Sequence, residues 1–283
     1  MKSKLDQHGQ ISNFTLRGTN LTLGLKLTRE TGELAGAIAS PVPTELPGIL
    51  MAYRPGFNAK HQVPSDAAGA YTMVLPRDAA EPNLPRGNGY GAVKVASTGT
   101  VSFAGKLGDG RAVSQATPLW SDLTWPLYLG APGETVVGRL ALTPRNGLRP
   151  LPIGALDWLR DPASKQSGFD LAFPIQLEVL SAPYTPGVSL SGFESGLLDS
   201  DALQGEARSV SLSSSKAAAS MQPLGVNLQI AKPTGIFSGK LTVPGVSKAV
   251  PFTGVVLQER GDGFGLSVGP GNEIGAIEIS KAP

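Results

Sequence analysis

Only two imidazoles and no thiol occur among the 283 residues, His8 and His61. A Ser-His-Asp relay would have to use one of them, yet no Gly-x-Ser-x-Gly elbow is present to expose a serine. His8 lies close to the start of the chain and His61 in the polar run 57–63, so both read as surface histidines. The lack of Cys excludes thiol catalysis, thiolate metal sites and disulfides. Asp199, Asp201 and Glu206 bring together oxygen ligands of a kind calcium accepts. They lack the Gly and the full ligand spacing of a calcium loop, and a solvated turn is the simpler reading. Gly87-Asn-Gly-Tyr-Gly91 is not a dinucleotide fingerprint, because a strand pattern follows where a helix should open. No cofactor is expected.

The aromatic residues form the most suggestive group. Trp120, Trp125 and Tyr128 fall close together, with Trp158 further on. Exposed aromatic faces combine apolar area with a polar edge, which suits them to stacking against sugar rings. In a strand, Trp125 and Tyr128 have opposite parity, so at most one of them points into a core. Trp120 stands in the turn 119–124, where burial is less assured. These three are the candidate ligand-binding residues. A carboxylate pair of the glycosidase type needs two acids about 5–9 Å apart. The 22 Asp and Glu allow one, but most fall in turns.

Whatever these residues do, turns and strands must position them. Gly (36) and Pro (24) are together well above average, while charged residues are only 16 % and hydrophobic ones 41 %. Pro or Gly interrupts nearly every helical window, leaving only 198–204 and 211–221 as possible helices. Period-2 alternation recurs instead, as in Leu21-Thr-Leu-Gly-Leu-Lys-Leu27 and Val226-Asn-Leu-Gln-Ile230. The net charge is +2 and no basic patch forms, which argues against a nucleic-acid partner. No uncharged apolar stretch is long enough for a transmembrane helix. The alternating runs are short for a membrane barrel, and 3 Trp, 5 Tyr and 9 Phe are few for two aromatic girdles. The first ten residues carry no apolar signal run; an export signal is expected in a longer parent or on a removed leader.

The turns also repeat. Thr31-Gly32-Glu-Leu-Ala-Gly36-Ala-Ile38 matches Thr234-Gly235-Ile-Phe-Ser-Gly239-Lys-Leu241 without a gap, and Thr98-Gly99-Thr-Val-Ser-Phe-Ala-Gly105-Lys-Leu107 is a longer third copy. Gly32, Gly99 and Gly235 suit the positive φ of tight hairpins. Gly36, Gly105 and Gly239 sit where a strand glycine marks a bulge or close backbone approach. The spacing points to a degenerate fourth copy near residue 166. The expected fold is an all-β antiparallel barrel, or barrel-like sandwich, of three or four degenerate four-strand repeats with about 12–16 strands. A flexible N-terminus over 1–10 precedes a single domain over 11–280. A connector near 144–152 leaves a two-half division open.

These segments resemble a β-rich C-terminal module of large secreted and surface proteins of verrucomicrobial and planctomycete-type bacteria. The resemblance is carried by 87–110, by 114–129 with its Trp-Pro-Leu-Tyr-Leu, and by 233–258 with Pro-Thr-Gly-Ile-Phe-Ser-Gly-Lys-Leu. It covers roughly residues 20–280 and implies an extracellular or cell-surface location and a passive role, with no catalytic motif to transfer. The expected function is a non-catalytic structural or adhesion module. A carbohydrate-binding module using Trp120, Trp125 or Tyr128 is the alternative, and a polysaccharide-acting hydrolase or lyase a third. Expected partners are a polysaccharide or another cell-surface protein.

Overall fold

The computed structural model describes residues 4–42, 48–78, 84–131, 133–160, 173–187, 196–200, 208–210, 218–221, 226–242 and 246–281. Among them the chain is all-β, with no α-helix and one 3-10 turn at Pro270–Asn272. Twenty-two strands form four antiparallel sheets, more strands than the sequence suggests. No closed ring of paired strands occurs among the described residues. The chain divides into two compact units, 1–56 and 57–283.

The first unit is a four-stranded meander of β1 (Gln10–Thr15), β2 (Thr22–Thr28), β3 (Glu33–Ala39) and β4 (Gly48–Tyr53). Before β1, residues 6–10 form a turn. The Asp6 carboxylate accepts from the amides of His8 and Gln10, and the Gly9 carbonyl accepts from Leu27 on β2.

In the second unit, one sheet has the order β14-β5-β6-β7-β8. Its strands are β5 (Gly69–Leu75), β6 (Gly89–Val95), β7 (Thr100–Lys106), β8 (Ala112–Pro118) and β14 (Leu180–Tyr184). The next sheet is built on the long β10 (Glu134–Arg145). One side of β10 pairs with β9 (Thr124–Ala131) and the other with β11 (Leu148–Ile153) and β12 (Ala155–Arg160). Residues 144–152 therefore make a hairpin within this sheet and not a connector between halves. Gly147, at φ 69, supplies the left-handed turn position that let Pro-Arg-Asn-Gly read as a linker.

β13 (Phe173–Glu178) pairs with β12 and runs on through Val179 into β14, which pairs with β5, so the two sheets share one bent path. β8 and β9 each lack a second paired strand among the described residues. They are joined by 119–123, and the Gln115 side chain accepts from the Tyr128 amide across the gap. Alternating residues of both sheets turn into one apolar interior that includes Tyr71, Met73, Phe103, Trp125, Leu140 and Trp158.

The last sheet has eight strands in the order β16-β15-β22-β21-β20-β19-β18-β17. They are β15 (Gly196–Ser200), β16 (Arg208–Val210), β17 (Ala218–Met221), β18 (Val226–Ala231), β19 (Ile236–Leu241), β20 (Val250–Leu257), β21 (Asp262–Val268) and β22 (Ile274–Lys281). Residues 198–200 and 218–221, in windows open to a helical reading, are thus strand. Its inner face holds a separate core with Leu198, Leu228, Phe237, Phe252 and Ile277. Its outer face meets the outer face of β5 and β6 through Val74, Tyr90, Val255, Leu257 and Leu266. Buried polar groups tie this contact: Thr72 Oγ1 donates to the Val256 carbonyl at 2.7 Å, and the Asn88 amide to Gly265 at 3.1 Å.

Gly32, Gly99 and Gly235 all have positive φ, at 68°, 86° and 71°. The carbonyl of each accepts from a residue in or just after a later strand, from the amides of Arg54, Leu119 and Val256 at 3.1, 2.7 and 3.0 Å. Gly36 pairs with Leu25 and Leu50, and Gly239 with Leu228 and Phe252, each partner standing at a similar distance from its turn. Gly105 pairs with Gly91 and Val113. The fourth copy expected near 166 lies outside the described residues.

Candidate functional site

The three candidate aromatics do not form a platform. Trp125 is 1 % exposed and points into the core, while Tyr128, on the opposite face of β9, is 57 % exposed. Trp120 is buried as well, at 8 %. Its loop is tight: the Trp120 amide donates to the Thr124 carbonyl, Leu123 donates back to Trp120, and the Arg139 guanidinium lies 5.2 Å from the Trp120 ring. Asp122 accepts from the Thr124 amide at 3.1 Å and hydroxyl at 2.7 Å, and pairs with Arg139. Partial burial works to raise the Asp122 pKa, but the Thr124 bonds and Arg139 outweigh it and hold the carboxyl below its ordinary value. Sugar stacking needs open ring faces, so of the three only Tyr128 offers one.

The other sequence candidates stay apart. The His61 ring stacks on Phe57 at 5.6 Å between centroids, and the loop is closed by Asn58 accepting from the Lys60 and His61 amides. His8 neighbours Gln7 in the Asp6 turn. Asp199 is exposed on β15 opposite Glu278 on β22, while Asp201 and Glu206 lie outside the described residues. No group of three metal-ligating side chains occurs among the described residues.

Two polar features escape a reading of the sequence. The first is Glu134, whose side chain is 0 % exposed at the start of β10. Its Oε1 accepts from Arg111 Nη2 at 2.8 Å and from the Trp158 indole N–H, and Arg111 also approaches Asp109 at 3.8 Å. Two carboxylates thus flank one guanidinium at the end of the shared core. This arrangement offsets part of the buried negative charge and ties the start of β8 to β10 and β12.

The second is an open cleft of about 710 Å³ where the end of β7 meets the outer face of β18–β21. Lys106 and Lys240 line it together with Gln229, Ser238 and Thr253, and no carboxylate is among its lining residues. Thr253 Oγ1 donates to the Phe237 carbonyl at 3.0 Å and lies 2.7 Å from the Tyr90 hydroxyl, which fixes the cleft wall. A concavity lined by one sign of charge concentrates anions. The two lysines occupy the same place in Phe103-Ala-Gly-Lys-Leu107 and Phe237-Ser-Gly-Lys-Leu241. This shared position is the signal in the sequence that marks the cleft.

Compared with models of known protein families the chain matches none. No curated protein matches it in sequence. Among the described residues no helix is long and apolar enough to cross a membrane.

Proposed function

We propose that the chain is a non-catalytic structural or adhesion module of a bacterial surface protein, working outside the cell. The observation that carries this reading is the use made of its interior. Two stacks of apolar side chains fill the space inside the strands, and the buried polar groups Thr72, Asn88 and Glu134 hold one strand or sheet to another. Such an assembly resists proteolysis and transmits load between sheets, which is what a passive surface module needs.

The finer architecture belongs to the same reading. β16 and β17 are the two edges of an eight-stranded sheet, yet only residues 211–217 separate them in sequence. Eight flat strands are about 34 Å from edge to edge at 4.8 Å spacing, whereas that link spans at most about 29 Å when fully extended. We infer that this sheet curls toward a barrel, bringing its two edge strands β16 and β17 near each other. The matched Thr-Gly turns, and the similar registers of Gly36 and Gly239, support an origin in repeated units.

The test is incubation of the purified chain with a panel of neutral and acidic polysaccharides, following both binding and release of new chain ends. Turnover of any member overturns the non-catalytic reading. In parallel, antibody labelling of intact cells of the source bacterium tests location; signal only after permeabilisation overturns a surface role.

A second reading, carbohydrate binding, is favoured by the cleft more than by the aromatics. Lys106 and Lys240 suit carboxylated or sulfated polysaccharide. Saltsensitive binding that is lost in a Lys106→Ala/Lys240→Ala variant, and retained in Trp120→Ala, supports it.

A further inference from the structure

We propose that Asn146-Gly147, at the tip of the β10–β11 hairpin, is a self-modification site, where the folded chain deamidates to aspartate and isoaspartate without an enzyme. The sequence holds this dipeptide twice, at 88–89 and 146–147, and the fold treats the two copies in opposite ways.

The chemistry is intramolecular. The main-chain nitrogen of the glycine attacks Cγ of the asparagine; a nitrogen–Cγ bond forms and the Cγ–Nδ2 bond breaks. The proton of that peptide N–H leaves with Nδ2 as ammonia, and a five-membered succinimide remains. Water then opens the ring. Hydrolysis at Cγ restores the ordinary peptide with an aspartate, whereas hydrolysis at the main-chain carbonyl leaves the peptide running through the side chain, as isoaspartate. The first step needs a backbone nitrogen free to move onto Cγ, and glycine is the least hindered residue to supply it.

Asn146 meets that need. It and Gly147 are exposed and form the two-residue link between Arg145 and Leu148, which pair across the hairpin. Gly147 is left-handed at φ 69°, and a Cβ built on it would meet nothing within 4 Å. Among the described residues no hydrogen bond holds the Asn146 side chain or the Gly147 N–H. A turn so placed can rearrange while both strands stay paired.

Asn88 is the internal control. It is 2 % exposed. Its Oδ1 accepts from the Arg77 amide at 3.0 Å, and its Nδ2 donates to Glu278 at 3.3 Å. Its own amide is bound to the Gly265 carbonyl at 3.1 Å, and Gly89 is paired with Leu75 in the β5–β6 ladder. Ring closure there would break buried hydrogen bonds and draw Gly89 out of the sheet. The fold thus withholds one copy from the reaction and presents the other.

The product alters its surroundings. A carboxylate at position 146 adjoins Arg145, which donates to Glu259 at 2.8 and 3.1 Å and to the Arg149 carbonyl at 2.7 Å. Deamidation therefore places a new acceptor where the hairpin meets the turn after β20, and lowers the net charge by one from +2.

The test is peptide mapping by mass spectrometry of the full chain, aged at neutral and mildly alkaline pH, both folded and in denaturant. In the folded chain, conversion at position 146 should exceed that at 88 by about tenfold or more, with isoaspartate among the products, because position 88 reacts only through opening of the sheet. In denaturant the two positions should convert at similar rates. Asn146→Gln keeps an amide but cannot close the five-membered ring, so the main acidic species of the aged folded chain should be missing from it. A position 146 as stable as position 88 in the folded chain overturns the proposal. Equal conversion at both positions in the folded chain does so too, as does a main acidic species that persists in Asn146→Gln.

Discussion

Glu134 is the residue on which most depends locally. Its carboxylate is fully buried and serves both Arg111 and the Trp158 indole. Removing Glu134 takes the near carboxylate from Arg111, leaving it only Asp109 at 3.8 Å, and takes the acceptor from the buried Trp158 indole, together a loss of about 3 kcal/mol. Glu134→Ala should therefore lower the melting temperature of the second unit by about 6–12 °C, measured by calorimetry. Glu134→Gln keeps an acceptor for the indole and should lose less. An unchanged melting temperature in Glu134→Ala would mean that the pair contributes nothing. In the sequence, Gly133-Glu134-Thr135 reads as one more turn acid, because its burial is created by Arg111 and Trp158, each more than twenty residues away. Trp125 and Tyr128 were legible in part: strand parity separates them, whereas nothing local indicates that Arg139 and the Asp122 turn cover Trp120.

At the scale of elements, the turn and strand glycines were the clearest signal in the sequence, since their conformational needs are local. A Cβ on Gly105 would collide with the Tyr90 carbonyl on β6, and one on Gly36 with the Gly24 carbonyl on β2. Backbone cannot give way as a side chain can, so Gly105→Ala should cost about 2 kcal/mol or more. Gly48→Ala, where the nearest atom is 3.9 Å away, should change stability by less than about 0.5 kcal/mol. Chemical denaturation of the two variants makes the comparison. The pairing of sheets was not legible, because alternation gives the buried side of a strand but not its neighbour. For that reason the β10–β11 hairpin, with its Pro and Gly, reads as a connector in the sequence.

The tyrosines that clamp these elements make stability pH-dependent. Burial raises the pKa of Tyr71, Tyr90 and Tyr184. Arg149 at Tyr71, Thr253 at Tyr90 and Gly235 at Tyr184 pull the other way without cancelling it. Each folded phenol holds its proton more tightly than the unfolded one. Their contribution is thus complete below about pH 10, the unfolded value, and drains as pH climbs through the raised folded values. Denaturant midpoints measured from pH 8 to 11 should fall. Tyr71→Phe should fall less steeply over that range; an identical slope would show that Tyr71 is not a source of the effect.

For the whole molecule, the distribution of buried apolar surface predicts two kinds of melting. The sheets of residues 69–281 share a core or bond across their faces, through Thr72 to Val256, Tyr90 to Thr253 and Arg145 to Glu259 at 2.8 Å. They should unfold as one cooperative unit. Among the described residues of 1–56 no hydrophobic side chain is buried, and a four-stranded sheet without a buried core of its own is marginal. Calorimetry of the full chain should resolve a smaller, lower transition for 1–56 and a larger one for 57–283. If only one transition appears, the two units are coupled within a single chain.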